Sequence, residues 1–187
     1  MTTVAYFPLQ CALNSGPVMS AVVNSLKQSG FKVVSGQYDA DVAVIWSVLW
    51  AGRMAENKRV YEYYRSRNRP VICIEVGALH RGITWKIALN NVNADGYYGH
   101  LLNQDPDRPC KLGVALQTNP LNHGRVLVAG QHNRSLQLEG VDQEAWYLKQ
   151  IENIDKQVVV RPHPRCPLDR SRFPKHIVWE QPKKLSD

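Results

Sequence analysis

The sequence lacks several short patterns that would each have assigned a chemistry. Its four cysteines form no Cys-x-x-Cys pair, so neither a zinc ribbon nor a dithiol redox centre has support, and a reducing compartment fits best. No Walker loop, Gly-x-Gly-x-x-Gly or Gly-x-Ser-x-Gly is present. P-loop nucleotide hydrolysis, dinucleotide oxidoreduction and serine-hydrolase chemistry therefore have no support either.

Long apolar runs and acidic residues are also scarce. No apolar run reaches the roughly 20 residues that cross a bilayer, and the N-terminus lacks a basic stretch followed by an apolar one. We therefore expect a cytoplasmic protein without a membrane partner. Lys and Arg number 23 against 16 acids, which gives a formal net charge of +7. Such an excess favours an anionic partner, namely nucleic acid, nucleotide, phosphate or acidic glycan.

The sequence does contain an alternation of strand-like and helix-like segments. Apolar runs typical of buried parallel strands occupy residues 3–9, 31–36, 40–50 and 71–79, and helical periodicity occupies 14–30 and 53–70. This pattern predicts an α/β fold with an open, mostly parallel, Rossmann-like sheet. We assign residues 1–105 to an N-terminal Rossmann-like lobe on the acceptor side. The Gly- and Asn-rich stretch 80–109 reads as a functional loop with at most one helical turn.

Regular alternation returns in the last third of the chain. Strand-like runs occupy residues 124–131, 156–164 and 176–181, and a helical pattern occupies 142–153. We predict a linker over 106–120 and a second, partial Rossmann-like lobe over 121–187, on the nucleotide side. A ligand between two such lobes would lie at the carboxyl ends of the strands.

The run Arg161-Pro162-His163-Pro164-Arg165 directly follows a buried strand. The prolines prevent the strand from continuing and so present the imidazole, while guanidinium groups match phosphate oxygens. We predict that Arg161, His163 and Arg165 contact the phosphates of a nucleotide, close to the matching strand end at Gly130 and Gln131. The alternative is a proline-rich turn with solvated basic residues.

Carboxylates give weaker candidates. Glu75 ends an apolar strand and is either a general base facing a cleft or a paired structural acid. Asp39 and Asp41 imitate an Asp-x-Asp metal site, but they precede a strand where such sites follow one, so no metal site is predicted.

Aromatic and basic groups add further candidates around the same cleft. His80 and Arg81 either line it or form an exposed loop pair. Trp85 is better explained by core packing, whereas Tyr97 and Tyr98 are candidates for stacking on a base or sugar ring.

A basic helical segment lies between residues 52 and 69, with tyrosines interleaved among its cations. Phosphate neutralisation and ring stacking are what a nucleic-acid surface uses, so Arg59, Arg65 and Arg67 are candidates for DNA contact. The alternative is a solvated helix face.

Two stretches resemble a known family. The run "GRVLVAGQHNRSLQLEGVDQEAWYLKQIENIDKQVVVRPHPR" resembles the start of the C-terminal lobe of two-Rossmann-lobe, GT-B-like glycosyltransferases related to capsular polysaccharide transferases. The stretch "RGITWKIALNNVNADGYYG" resembles a segment of bacteriophage proteins of this superfamily that are found near genes for modified DNA bases. The resemblance implies that His163 and Pro164 contact the phosphate of the donor nucleotide, with Gly130 and Gln131 in the facing loop.

Two functions follow as hypotheses. The first is a glycosyltransferase-like protein that uses a nucleotide-sugar as co-substrate and holds no tightly bound cofactor. Glu75 would deprotonate an acceptor hydroxyl, for which a modified base in phage DNA is the candidate, in the cytoplasm of a bacterial host. The second is a non-catalytic, basic relative that binds nucleic acid or protein and lacks a complete donor lobe.

Overall fold

The computed structural model describes residues 1–12, 14–77, 82–93, 95–100, 105–114, 124–133, 135, 138 and 140–181. The chain divides into two compact units, Met1–Ala115 and Leu116–Asp187. The predicted lobe boundaries at 105 and 121 fall on either side of this division. Both units are α/β, and each has its own sheet.

The first unit contains a five-stranded sheet. Its strands are β1 (Thr3–Tyr6), β2 (Lys32–Ser35), β3 (Val42–Trp46), β4 (Val71–Val76) and β5 (Trp85–Leu89). Their spatial order is β2-β1-β3-β4-β5. Four strands are parallel, and only β5 runs antiparallel to its neighbour. The α/β class and the open, mostly parallel sheet predicted from the sequence are confirmed.

Two helices cover opposite faces of this sheet. They are α1 (Gly16–Gln28), which leads from β1 to β2, and α2 (Ala55–Arg65), which leads from β3 to β4. Met19 of α1 packs in one cluster with Val4 of β1, whereas Tyr64 of α2 packs against Phe7 with ring centroids 6.3 Å apart. Because side chains alternate along a strand, Val4 and Phe7 point to different faces. The central strands β1 and β3 are therefore covered on both sides, as their apolar sequence indicates, whereas the edge strand β2 is partly exposed.

The strand β5 corrects the prediction of a loop over residues 80–109. It pairs with β4 at five positions, from Ile72 opposite Leu89 to Val76 opposite Trp85. Tyr97 then bridges back to Leu89. The Gly- and Asn-rich segments on either side of this short apolar strand led to the prediction of a loop. The strand joins the edge of the sheet by antiparallel pairing with β4. A helix of four residues, α3 (Arg108–Lys111), follows near the end of the unit.

In its described residues, the second unit has a three-stranded parallel sheet and one α-helix. It contains β6 (Arg125–Ala129), α4 (Gln143–Ile151), β7 (Gln157–Arg161) and β8 (Val178–Trp179), with β7 in the centre. Asp142 begins α4 by accepting a hydrogen bond from the backbone N–H of Ala145 at 3.1 Å.

The core of the second unit lies between α4 and one face of the sheet. It is formed by buried apolar and aromatic side chains: Tyr147, Ile151, Val158, Val160, Phe173 and Ile177. Within the described ranges, no helix has the length and apolar character needed to cross a membrane.

Candidate functional site

Two histidines meet at the carboxyl edge of the second sheet. β6 and β7 end in register, with Ala129 opposite Arg161. His132 follows β6 and His163 follows β7, and their ring centroids lie 5.1 Å apart at an interplanar angle of 73°. Open α/β sheets bind ligands at this edge. We call the segments 130–133 and 162–166 the strand-end site.

Gly130 allows the two segments to approach each other closely. Its backbone N–H donates to the carbonyl of Arg161 at 2.7 Å. A Cβ at this position would lie 2.7 Å from the backbone nitrogen of His163 and 3.1 Å from Cα of Pro162. Both neighbours are backbone atoms, which no side-chain rotation can move away. The close approach of the two backbones therefore requires glycine at position 130, because a Cβ would clash with backbone atoms.

Gln131 is fixed through its backbone and not through its side chain. Its N–H donates to the hydroxyl of Tyr147 at 2.9 Å, and its carbonyl accepts from Nε2 of Gln143 at 3.0 Å. Both partners belong to α4, so the helix holds the segment 130–133 in place. Burial raises the pKa of Tyr147, which keeps its hydroxyl neutral as the acceptor.

Cys166 joins the two segments of the strand-end site. Its buried Sγ donates to Oδ1 of Asn133 at 3.3 Å and accepts from the backbone N–H of Asn133 at 3.5 Å. The thiol acts as a structural hydrogen-bonding group, a role that the sequence did not indicate.

A tight turn fixes the imidazole of His163. The N–H of Cys166 donates to the carbonyl of His163 at 3.0 Å, which places Pro164 and Arg165 at the two central positions of the turn. The N–H of Arg165 donates to Nδ1 of His163 at 3.2 Å. Burial, then the neighbouring charges of His132 and Arg165, hold the pKa of His163 below its ordinary value. The predicted phosphate residues His163, Pro164 and Gly130 thus lie together.

The two predicted phosphate-binding arginines differ in their surroundings. Arg161 donates from Nε and Nη2 to Oε2 of Glu180, at 3.1 and 2.8 Å, and only 15% of its side chain is exposed. Arg165 is exposed and forms no ion pair with any acidic side chain that the structure describes. Of the two, Arg165 is the one available to an anion, and the phosphate contact of Arg161 stays a prediction.

Glu75 lies in β4 of the first unit, one residue before the strand ends. Its carboxylate accepts from Oγ of Ser47 at 2.5 Å and from the N–H of Val76 at 2.8 Å. Ser47 is 1% exposed, has φ = 66°, and accepts from the N–H of Leu49 at 2.9 Å. Glu75 therefore stabilises a residue in the left-handed region, where a non-glycine residue carries strain. A general-base role for Glu75 stays a prediction.

Two of the three arginines predicted to contact DNA lie on different sides of α2. Arg59 and Arg65 are both exposed on α2, but six residues of helix separate them by about 120° around its axis. Arg67 follows the helix and stacks on the Tyr63 ring, with its guanidinium carbon 3.8 Å from the ring centroid. It also donates to the carbonyl of Tyr63 at 3.1 Å. Their contact with nucleic acid stays a prediction.

The remaining candidates have varied positions. Asp41 accepts from the N–H of Thr3 at 2.8 Å, so it pairs with the start of β1. Trp85 packs edge-on against Trp46, with ring centroids 5.4 Å apart. Tyr97 and Tyr98 are exposed. His80 and Arg81 lie outside the described residues.

No three His, Cys, Asp or Glu side chains in the described ranges are grouped closely enough to hold a metal ion. Neither a protein-family model nor any curated protein matches the chain.

Proposed function

We propose that the strand-end site binds the phosphate groups of a nucleotide, and that the chain is a glycosyltransferase-like protein with a nucleotide-sugar as co-substrate. One observation carries the proposal. Two imidazoles and an exposed arginine, from the ends of neighbouring parallel strands, lie at the sheet edge where α/β proteins bind ligands. The close backbone contact at Gly130 supports it, because it brings the segment after β6 against the His163 turn.

In this proposal the site stabilises the leaving phosphate. Donors that are fixed before the reaction lower the energy of developing charge without reorganising during the step. His163 supplies a hydrogen bond to a phosphate oxygen and Arg165 supplies positive charge. The bond from the anomeric carbon to the phosphate oxygen breaks, the electron pair leaves on the phosphate, and the acceptor oxygen forms the new bond after losing its proton to a carboxylate.

Three finer features belong to the same proposal. They are a GT-B-like arrangement with the nucleotide between two lobes, Glu75 as the carboxylate that takes the proton, and a hydroxylated base in phage DNA as the acceptor. The basic net charge of +7 is compatible with a DNA acceptor.

The experiment is a binding screen by thermal shift and calorimetry with UDP-, GDP-, CMP- and TDP-sugars and with the corresponding free nucleotides. We expect at least one of these ligands to stabilise the chain and His163→Ala to reduce its affinity by about tenfold or more. The matched control is His176→Ala, because His176 is an exposed histidine of the same unit outside the strand-end site. The proposal is wrong if no ligand stabilises the wild type, or if both alanine variants lose affinity equally.

A further inference from the structure

The hydrogen bond at Nδ1 determines how His163 can act. A backbone N–H can donate only to a ring nitrogen that carries a lone pair, and Arg165 donates its N–H to Nδ1 at 3.2 Å. The neutral ring that satisfies this bond carries its proton on Nε2. No described group accepts a hydrogen bond from Nε2. The ring therefore offers one unpaired N–H donor at the carboxyl edge of the sheet.

The surroundings of the ring oppose a positive charge on it. His132 faces it from the segment after β6, and Arg165 lies two residues away in its own turn. The other titratable groups of the site are Cys166, whose thiol bonds to Asn133, and Tyr147 of α4, whose hydroxyl accepts from Gln131. Neither is an anion that would stabilise an imidazolium. The carboxylate of Glu180 bonds to Arg161.

Protonation would also disturb the turn itself. A proton on Nδ1 would replace the lone pair that accepts from Arg165, and two N–H groups would then face each other. The pKa of His163 is lowered, first by burial and then by His132 and Arg165, in agreement with this geometry.

We propose that His163 binds the ligand oxyanion as a neutral Nε2–H donor, positioned by the backbone N–H of Arg165, while the arginine side chain supplies the charge. The identity of the ligand in this inference rests on the proposed function. The protonation state of the His163 ring does not depend on it. The neutral state of the ring implies that His163 is not the general acid of the reaction. The leaving phosphate departs with a hydrogen bond from Nε2–H and takes no proton from it.

The direct test is the tautomer of His163, read from the ¹⁵N shifts of the imidazole in the ligand-free protein at neutral pH. We expect the Nε2–H form. An imidazolium, or a ring protonated at Nδ1, overturns the proposal whether or not any nucleotide binds.

The second test is the pH dependence of oxyanion binding, with sulfate as the probe because its charge is constant across the range. It is followed through the amide resonance of Gly130. His132→Gln serves as the background, so that His163 is the one imidazole left in the strand-end site. We expect the affinity to change less than about twofold from about pH 7 to about pH 8.5. A fall in sulfate affinity approaching tenfold per pH unit would show that a protonated His163 binds the anion, and it would overturn the proposal. The absence of any response of the Gly130 resonance to sulfate would overturn it too.

The third test separates a neutral donor from a cation by substitution. The amide of Gln can place an uncharged N–H near the position of Nε2, so His163→Gln should retain sulfate binding within about threefold, whereas His163→Ala should lose about tenfold. Equal losses in both variants overturn the proposal. A nucleotide screen without binding, combined with retained sulfate binding in His163→Gln, would contradict the proposed function alone.

Discussion

The strand ends of the two units use polar side chains in opposite ways. In the first unit, the hydroxyl of Ser47 and the carboxylate of Glu75 bond to each other and to nearby backbone N–H groups. In the second unit, His132 and His163 lie side by side next to Arg165, and no carboxylate among the described residues is bonded to either His163 or Arg165. In the first unit the two polar side chains satisfy each other, whereas in the second unit Arg165 has no carboxylate partner among the described residues.

In our proposal, this difference marks the second strand end as the phosphate site, whereas the Ser47–Glu75 bond stabilises the first. A hydrogen-bonded donor and acceptor at a strand end stabilise the turn that they belong to and leave little capacity for a ligand. An exposed cation such as Arg165 beside an N–H donor such as Nε2 of His163 favours a bound anion. Four sets of experiments test these assignments, taken from the largest expected effect to the smallest.

Gly130→Ala should have the largest effect, because it places a Cβ against the backbone at His163. We expect a loss of about 1–3 kcal/mol in the free energy of unfolding and a loss of nucleotide affinity of about tenfold or more. Denaturant unfolding and calorimetry measure the two quantities. Gly16→Ala is the control, since a Cβ at Gly16 meets nothing within 4 Å. Unchanged affinity in Gly130→Ala would show that the close approach does not shape the site.

The Ser47–Glu75 pair should affect stability. Glu75→Ala leaves the buried hydroxyl of Ser47 without its acceptor, so we expect a loss of about 1–3 kcal/mol in the free energy of unfolding. A double-mutant cycle with Ser47→Ala should give a coupling energy of about 0.5–3 kcal/mol. A coupling energy near zero would contradict the structural role. In the same variants, unchanged stability with abolished transferase activity would instead support Glu75 as the base.

Substitutions at the two arginines of the predicted phosphate motif should affect different quantities, the free energy of unfolding for one and nucleotide affinity for the other. Arg161→Leu removes an ion-pair partner of Glu180, which is 29% exposed, and should cost about 1–2 kcal/mol of unfolding free energy. Arg165→Leu should leave the free energy of unfolding within about 0.5 kcal/mol of the wild type and weaken nucleotide binding. Denaturant titrations measure the stability of both variants, and calorimetry measures their nucleotide affinity. A stability loss in Arg165→Leu with an affinity loss alone in Arg161→Leu would contradict the prediction.

Thiol reactivity should give the smallest and simplest contrast. Cys110 is exposed, whereas Cys11, Cys73 and Cys166 are buried. Burial raises the pKa of Cys73 to about 12, so at about pH 8 only about one thiol in ten thousand is ionised there. A chromogenic thiol reagent should therefore label Cys110 first, and Cys110→Ser should remove this fast phase. Rapid labelling of Cys73 in the folded chain would contradict its burial.

The sequence predicted those parts of the fold that depend on local pattern. Continuous apolar runs separated by helical periodicity gave β1 to β4 and their helices, because strands buried on both faces need apolar residues throughout. β5 was missed because its five residues lie between Gly- and Asn-rich segments. Its existence depends on pairing with β4, which a local window does not contain.

The candidate site was predictable in part for a similar reason. The prolines around His163 and the glycine at position 130 are local features, and the structure brings these residues together. The partner of Arg161 was not predictable, because Glu180 reaches it only through the pairing of β7 with β8. No sequence feature indicated the left-handed backbone of Ser47 or the bond from Arg165 to Nδ1 of His163.

The most direct test of the central claim compares both strand ends in one ¹H–¹⁵N spectrum during titration with inorganic pyrophosphate. We expect the amide resonances of residues 130–133 and of His163, Arg165 and Cys166 to shift with a common saturation curve. The amides of residues 47–49 and 75–77 should stay in place, since their polar groups are already bonded. Shifts confined to residues 47–49 and 75–77, or no saturable shift at 130–133, would contradict the assignment of the phosphate site to the second unit.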